Sequence, residues 1–539
     1  DINRMTPSSQ VGSPLFLGID LSTQQLKAVV VNDQNEIIRR EAINFSNELP
    51  EFKTVDGVCH NGAVSWTPIG LWLRAMDALL GRLAQSVDLT CIVAVSGSAQ
   101  MHGTVFWSAE SERKLEEMTC ENKSGGFFGT MRNSFARDKC PSWMDTSTAE
   151  YVDKFDRRIQ NLSELGGSIG YLRFSGPQIA KIFEHEPATY QQTSRISLVS
   201  SFTASLFIGR VAPIDLTDAG GTNLLDIKQR KWSEECLQIV VEKTEHVNGI
   251  RQRLGPLVPA SALLGSVSRY LVEAYSFSPQ CKVIAFTGDQ ISSMAGLNVC
   301  QGDVVLSLGT SDNALFLSTA FHTLPLGHVF IHPISDTQSY VTLMCYKNGS
   351  LTRERIRANL GVDWSGFARL LSESPPGNNG YFGLFYDHDE QEPRVRAGDY
   401  RWKPDGEPCK EPFPPHIEAR ALLEGQILHL RANSPSQIKR VIVTGGASVN
   451  QAIQQVIADI FGCPVFMTND SDSAALGSAK RAKYAYDNQG VPFDDYFANA
   501  SCDIQAEVVK PRLETAPIYE ELLRVYRKRE AQLLKNYPH

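Results

Sequence analysis

GIDLSTQQLKAVVV, residues 18–31, carries an apolar strand into the polar turn Asp20-Leu21-Ser22-Thr23 and returns at once into a second apolar strand. The flanks read as strands, so the turn is a hairpin tip holding one carboxylate, two hydroxyls and several backbone N–H groups. One such tip is an ordinary hairpin turn. The pattern returns, however, at residues 304–318, where the strand VVLSL is followed by Gly309-Thr310-Ser311-Asp312-Asn313 and the return strand ALFLS. Each copy opens a long stretch in which strands and helices alternate. A duplication of this kind predicts an α/β protein of two similar domains, each offering a hairpin tip to a shared cleft.

Working outward from the first tip, PLFLGID, LKAVVVN and EIIRREAINF predict a three-strand meander. TPIGLWLRAMDALLGRLAQS has helical apolar spacing behind a Thr-Pro start. CIVAVSGSAQMHG reads as a strand entering a small-residue loop. Residues 108–142 are polar and predict a surface insertion, and residues 195–208 predict a helix carrying many small residues. KVIAFTGDQISSMAGL predicts strand, turn and helix. In the second half, residues 386–416 are acidic and proline-rich and predict a long loop. IKRVIVTGGASVNQAIQQVIADIFGCPV reads as strand, glycine turn, helix and strand, and SDSAALGSAKRAKYAY as a helix with a small-residue face. APIYEELLRVYRKREAQLLKNY predicts a charged amphipathic helix on the outside.

The chain of 539 residues is too long for one core. Apolar content of 42% with 21% charged residues fits an ordinary globular protein. A net charge of −8 without a basic stripe argues against a nucleic-acid partner. No run approaches the ~18 consecutive apolar residues that cross a bilayer, so no membrane partner is expected. The 11 cysteines include no CxxC pair, which predicts reduced thiols in the cytoplasm rather than a zinc site or a disulfide framework. The opening DINRMTPSSQVGSP has no apolar signal core and reads as an unstructured leader.

P-loop, Rossmann, protein-kinase, zincin and hydrolase-elbow motifs are all missing, so any nucleotide chemistry needs another cradle. The paired tips offer one, because phosphate oxygens need several donors converging on a small volume. Gly309, Thr310, Ser22 and Thr23 are the candidates, with Asp20 placed to hold Mg²⁺ through water. Thr444-Gly445-Gly446-Ala447-Ser448, between a strand and a helix, lets a flat or charged group lie against the backbone; it also suits a plain tight turn. Thr287-Gly288-Asp289-Gln290 puts a carboxylate at the end of a strand and the start of a helix. Asp289 there serves either as a helix cap or as a general base, ionised near neutral pH, taking a proton from a hydroxyl. In Gln100-Met101-His102-Gly103, Met101 suits the carbon face of a small polar ligand, and His102 is either a ligand contact or a satisfied loop residue. Arg173 carries no signal from pattern alone.

These motifs, in this order and approximate spacing, resemble those of the FGGY carbohydrate kinases over residues 14–490. Within the family the chain is most similar to the longer eukaryotic members that act on D-xylulose. QMHG, WMDTST at 143–148, GPQIAKI at 176–182, RISLVSSF at 195–202 and FTGD at 286–289 carry that closer match. The resemblance implies two ribonuclease H-like, actin-like ATPase domains flanking a catalytic cleft. Residues 14–298 would bind sugar, residues 302–490 would bind ATP, and residues 491–539 would form a helical extension. It implies the reaction ATP + D-xylulose → ADP + D-xylulose 5-phosphate, with ATP and Mg²⁺ required. Asp289 would be the base; Met101, His102, Arg173, Asp289 and Gln290 would contact the sugar; Gly445, Gly446, Asn450 and Trp364 would line the adenosine site. Gln290 departs from the Asn of many bacterial relatives, which leaves another ketose or polyol such as ribulose open as acceptor. A catalytically silent actin-like protein binding ATP and sugar is the remaining alternative.

Overall fold

The computed structural model describes residues 13–121, 125–309, 311–323, 327–334, 339–391, 394–468, 472–487, 490–492, 495–496 and 507–535. The expected leader, residues 1–12, lies outside the described residues. The chain forms two compact units. One comprises Asp1–Asn298, Phe330–Thr337 and Asp472–Ser501; the other comprises Val299–Val329, Gln338–Ser471 and Cys502–His539.

In the first unit, β1 (Leu15–Leu21), β2 (Gln25–Val31) and β3 (Ile37–Asn44) form the expected antiparallel meander. β4 (Ile92–Ala99) runs parallel to β1 on its other side. β5 (Leu263–Ser266) and β6 (Lys282–Ile284) extend the sheet to the order β5-β6-β4-β1-β2-β3, and β7 (Thr287–Gly288) pairs in parallel with the end of β4. Leu17, Ile19 and Leu21 on one face of β1 share a core with Trp72, Leu79 and Leu83 of helix Ile69–Ser86. Phe16, Val29 and Val31 on the other face meet Ala475, Ala479 and Ala482 of helix Ser473–Asp487. A sheet covered on both faces needs apolar residues at every position, which is why these strands read as continuous apolar runs.

Helix Ser473–Asp487 therefore belongs to the first unit, and the expected 302–490 domain divides at Asp472. Its small-residue face lets it press on β1, where a Cβ added at Gly18 would stand 1.9 Å from the carbonyl oxygen of Ala475. Residues 108–142 are also more than a surface insertion. Leu115, Phe127 and Met131, on helices Ala109–Glu116 and Gly126–Met131, are buried in the first core, and only the outer faces account for the polar composition. Residues 195–208 divide as well: Thr193–Leu198 is a strand paired with Thr104–Ser108, and the helix starts at Val199.

The second unit repeats the plan. β8 (Asp303–Leu308), β9 (Asp312–Ser318) and β10 (Tyr340–Tyr346) form an antiparallel meander. β11 (Arg440–Thr444) runs parallel beside β8, followed by β12 (Val465–Met467) and β13 (Glu507–Val509), in the order β10-β9-β8-β11-β12-β13. The expected loop at 386–416 contains strand Gly398–Trp402, which pairs with Phe382–Tyr386. Arg401 Nε sits 2.9 Å from both Glu418 oxygens, so the charges that suggested a solvated loop instead pin a strand. The terminal helix Ala516–Lys535 buries Tyr519, Leu522, Tyr526 and Leu533 in the second core, as its amphipathic pattern predicts. Among the described residues the cysteines are free thiols, and no helix is long and apolar enough to cross a membrane.

Candidate active site

β1, β4 and β7 are parallel neighbours in the first unit, so their carboxyl ends open side by side. The register places Asp20 opposite Ser98, and Ser98 opposite Thr287. Gln100–Gly103 leaves the end of β4, and Asp289 leaves the end of β7. Carboxyl ends of parallel strands are where open α/β sheets take ligands. Asp20, Met101, His102, Asp289 and Gln290 are thus gathered by one sheet edge.

His102 is held from three directions. Its φ of 75° lies in the left-handed region that few non-glycine residues adopt. Its Nδ1 lies 2.9 Å from the carbonyl oxygen of Gly221. Its ring stacks on Phe174 at 4.7 Å between centroids, and Phe174 leans on Tyr171, over which the Arg173 guanidinium sits at 5.0 Å. A carbonyl only accepts, so Nδ1 carries the proton and Nε2 presents a lone pair. Burial, with help from the Arg173 charge, pushes the imidazole down to about 3, so the ring is neutral at physiological pH. Met101 fills the space beside it: a Cβ on Gly288 would stand 2.7 Å from Met101 Cγ.

Asp289 opens helix Asp289–Gly296 without capping it; the N-cap position is Gly288. Its Oδ1 accepts the backbone N–H of Gln290 at 2.7 Å. Burial first, and then the charge of Asp20, push the Asp289 carboxyl up to about 8. The expectation of a carboxylate ionised near neutral pH is therefore corrected: this group holds its proton unusually tightly. Gln290 beside it is half-buried.

Asp20 is buried and accepts Ser98 Oγ at 2.9 Å and Ser22 Oγ. Burial raises its carboxyl, and Asp472 adds to the effect. Among the described residues no group of three or more His, Cys, Asp and Glu side chains could hold a metal ion. Mg²⁺ needs less than that, one or two carboxylates with water and phosphate oxygens for the rest. A carboxylate whose charge is disfavoured by burial and which in turn loads Asp289 fits such an ion, since a cation relieves both. Ser22 is spent on Asp20, and Thr23 Oγ1 accepts the Trp143 indole N–H at 2.9 Å.

The turn at Asp215–Thr222 escaped the sequence reading. Asp215 accepts Thr287 Oγ1 at 2.9 Å and the Thr217 N–H at 3.0 Å, and burial pushes it up to about 6. Asp218 accepts Ser200 Oγ at 2.6 Å; burial raises its carboxyl strongly, and the charges of Asp215 and Asp289 add to this. Arg481, fully buried, donates to the carbonyls of Ala260 and Ala285 at 2.7 Å and favours the Asp215 anion. The only signal for this turn was two carboxylates three apart before a glycine pair, DLTDAGG, a pattern too short to stand out.

In the second unit, β8 ends at the Gly309 tip; Thr310 lies outside the described residues. Gly445 follows β11 with a φ of 91°, and a Cβ there would stand 2.6 Å from the Leu308 carbonyl oxygen, so only glycine fits. Gly446 faces open space. It borders a pocket of about 690 Å³ shared with Trp364, Ala447 and Asn450. Trp364, Leu351 and Val449 are exposed there, leaving an apolar slot open to a planar group. Asn450 Oδ1 caps helix Gln451–Phe461, accepting the Ala452 N–H at 3.0 Å and the Ile453 N–H at 3.3 Å. Of the predicted nucleotide residues, Trp364, Gly446 and Asn450 meet at this pocket, and Gly445 supports it from behind.

The repeated plan of meander and parallel strands is also that of the ligand-bound xylulose kinase from Lactobacillus acidophilus. The two share 17% identity and a TM-score of 0.77 over 96% of this chain and 98% of that one. The fold thus defines the class: a two-domain α/β protein of actin-like ATPase architecture. Sequence defines the rest. Residues 15–122 and 137–296 match the N-terminal domain, and residues 304–486 the C-terminal domain, of the FGGY family of carbohydrate kinases, and the chain belongs to that family. It is 37% identical to the xylulose kinase of Mus musculus over 98% of this chain and 96% of that one. It is 39% identical to xylulose kinase 2 of Arabidopsis thaliana over 88% of this chain and 87% of that one. The protein is a carbohydrate kinase.

Proposed function

We propose that the enzyme transfers the γ-phosphoryl group of ATP to D-xylulose, giving D-xylulose 5-phosphate and ADP, with Asp289 as general base. The observation that carries this reading is Asp289 at the end of β7 and His102 after the end of the neighbouring parallel strand β4, a neutral, fixed imidazole with its acceptor nitrogen free of the backbone. Relatives named xylulose kinase, 37% and 39% identical over most of the chain, support the choice of acceptor.

His102 Nε2 accepts a hydrogen bond from one sugar hydroxyl. Arg173 and Gln290 donate to other sugar oxygens, and the Met101 thioether packs on the carbon face. Asp289 takes the proton of the terminal hydroxyl as its oxygen bonds to phosphorus and the bond from γ-phosphorus to the bridging oxygen breaks. A base of this kind contributes roughly 10²–10⁴-fold. Positioning supplies the larger part, because phosphoryl transfer asks little covalent work of the protein. Trp364, Gly446 and Asn450 take the adenosine, and the Gly309-Thr310 tip takes the phosphates; in the first unit the Ser22 hydroxyl stays on Asp20, leaving the Thr23 hydroxyl and the backbone N–H groups of that tip as its donors. Asp20 would hold Mg²⁺ through water, and the ion, when bound, neutralises phosphate charge.

An ADP-release assay over a panel of ketopentoses and polyols tests this. ADP release that depends on sugar, fastest with D-xylulose, is expected. A higher kcat/KM for ribulose or another acceptor reassigns the substrate. ADP release indifferent to every sugar overturns the kinase reaction itself.

A further inference from the structure

The hairpin tip of the second unit is held from below by a buried charge. Asp312 opens β9, directly after the tip. It takes a forked contact from Arg353, with Nη1 at 2.6 Å from Oδ2 and Nη2 at 2.8 Å from Oδ1. The two side chains are 1% and 4% exposed. Arg353 Nη1 also donates to Gln426 Oε1 at 3.0 Å, and Gln426 Nε2 donates to the carbonyls of Asn348 at 2.8 Å and Gly349 at 3.2 Å. Gly349 lies against the hairpin: a Cβ there would stand 2.7 Å from the Asp312 nitrogen and 2.9 Å from the Ser311 carbonyl carbon. The Ser350 N–H closes the ring, donating to the Gly309 carbonyl at 3.0 Å.

A buried ion pair adds little net stability over an apolar pair of the same shape, but it tolerates only a narrow geometry. Here that geometry joins the tip to helix Ser350–Asn359, whose Ser350, Leu351 and Glu354 border the 690 Å³ pocket. The tip and the slot are thus referred to one helix.

We propose that Arg353 is a positioning residue for the nucleotide phosphates. Its fork on Asp312, braced by Gln426, fixes the two described flanks of the tip, Gly309 and Ser311, which are tied to each other by the Gly309 N–H on the Ser311 carbonyl at 3.2 Å, and so sets where the tip meets the phosphate chain of a nucleoside triphosphate. This rests on the reading of the second unit as the nucleotide site. It assigns the adenosine slot and the phosphate tip to separable parts.

The test is calorimetric binding of ATP and of adenosine to the full-length protein and to Arg353→Lys and Asp312→Asn. Lysine keeps the charge but cannot form the fork. ATP affinity is expected to fall about tenfold, the ~1.4 kcal/mol of one displaced charged hydrogen bond. Adenosine affinity and the KM for sugar stay unchanged, and the KM for ATP rises. Gln426→Met leaves the ion pair in place and removes only its brace, so it carries the test if the other variants fail to fold; the same split, smaller in size, is expected. Unchanged ATP affinity in the variants that fold, or equal loss of adenosine and ATP, overturns the positioning role. Failure of the unaltered protein to bind adenosine or ATP overturns instead the nucleotide reading beneath it.

Discussion

A methyl group at Gly221 would stand 2.8 Å from Nδ1 of His102, the atom that lies 2.9 Å from the Gly221 carbonyl oxygen. Gly221 therefore holds the imidazole twice, through its oxygen and through the side chain it lacks. Gly221→Ala is expected to push the ring aside and raise the KM for sugar about tenfold, the ~1.4 kcal/mol of a lost hydrogen bond, with the KM for ATP unchanged. His102→Ala is expected to do the same. Steady-state kinetics on both variants checks this, and an unchanged sugar KM in both would remove His102 from the pocket.

Asp289→Ala is expected to lose roughly 10²–10⁴-fold in turnover while ATP still binds. Retention of more than about a tenth of the parent rate is incompatible with a general base.

Asp289→Asn has a second consequence. The folded value of about 8 lies above the ordinary 3.8, so between these limits the native state binds the extra proton and stability falls as pH rises. The slope is at most ~1.4 kcal/mol per pH unit. Asparagine removes it. The variant is expected to melt above the parent, by a margin that widens from about pH 5 to about pH 8. Thermal melts across that range decide it; a constant margin contradicts the shifted carboxyl.

The pH profile of kcat/KM for sugar reads the same group in function. A base must be deprotonated, so the rate is expected to climb with pH along a limb centred above the ordinary 3.8, and short of 8 because a cation held at Asp20 relieves part of the charge that raises Asp289. His102, pushed down to about 3, stays neutral over this range and adds no limb of its own. A midpoint in the ordinary carboxylate range would place Asp289 in a more polar setting than its burial implies.

Gly446 has nothing within 4 Å of where a Cβ would sit. Gly446→Val is expected to fold with stability within ~0.5 kcal/mol of the parent. Its methyls then occupy the nucleotide slot, raising the KM for ATP and leaving the KM for sugar alone. Kinetics with both substrates varied separates this from a general loss of fold.

Much of the site was legible because its chemistry is local. Gly445-Gly446 between β11 and a helix, Asp289 at a strand end and the small tip at Gly309 are each spelled by neighbouring residues. The turn residues declare themselves through backbone preferences that do not depend on the rest of the chain. The Asp215–Thr222 turn was not legible, because its importance comes from Thr287 and Ser200, which are distant in sequence. The pair of Asp312 and Arg353, 41 positions apart, is invisible for the same reason.

By itself the sequence determined the repeated meander, the two-domain α/β plan and the order of the strand-end motifs. Residue periodicity records which faces of an element are buried. It does not record what they are buried against. Only the tertiary structure decided that helix Ser473–Asp487 seats on β1 in the first unit, that Phe174 braces His102, and that burial, with the charge of Asp20 added, raises the Asp289 carboxyl. Close packing and electrostatics act through space, between groups that the chain separates by tens or hundreds of residues.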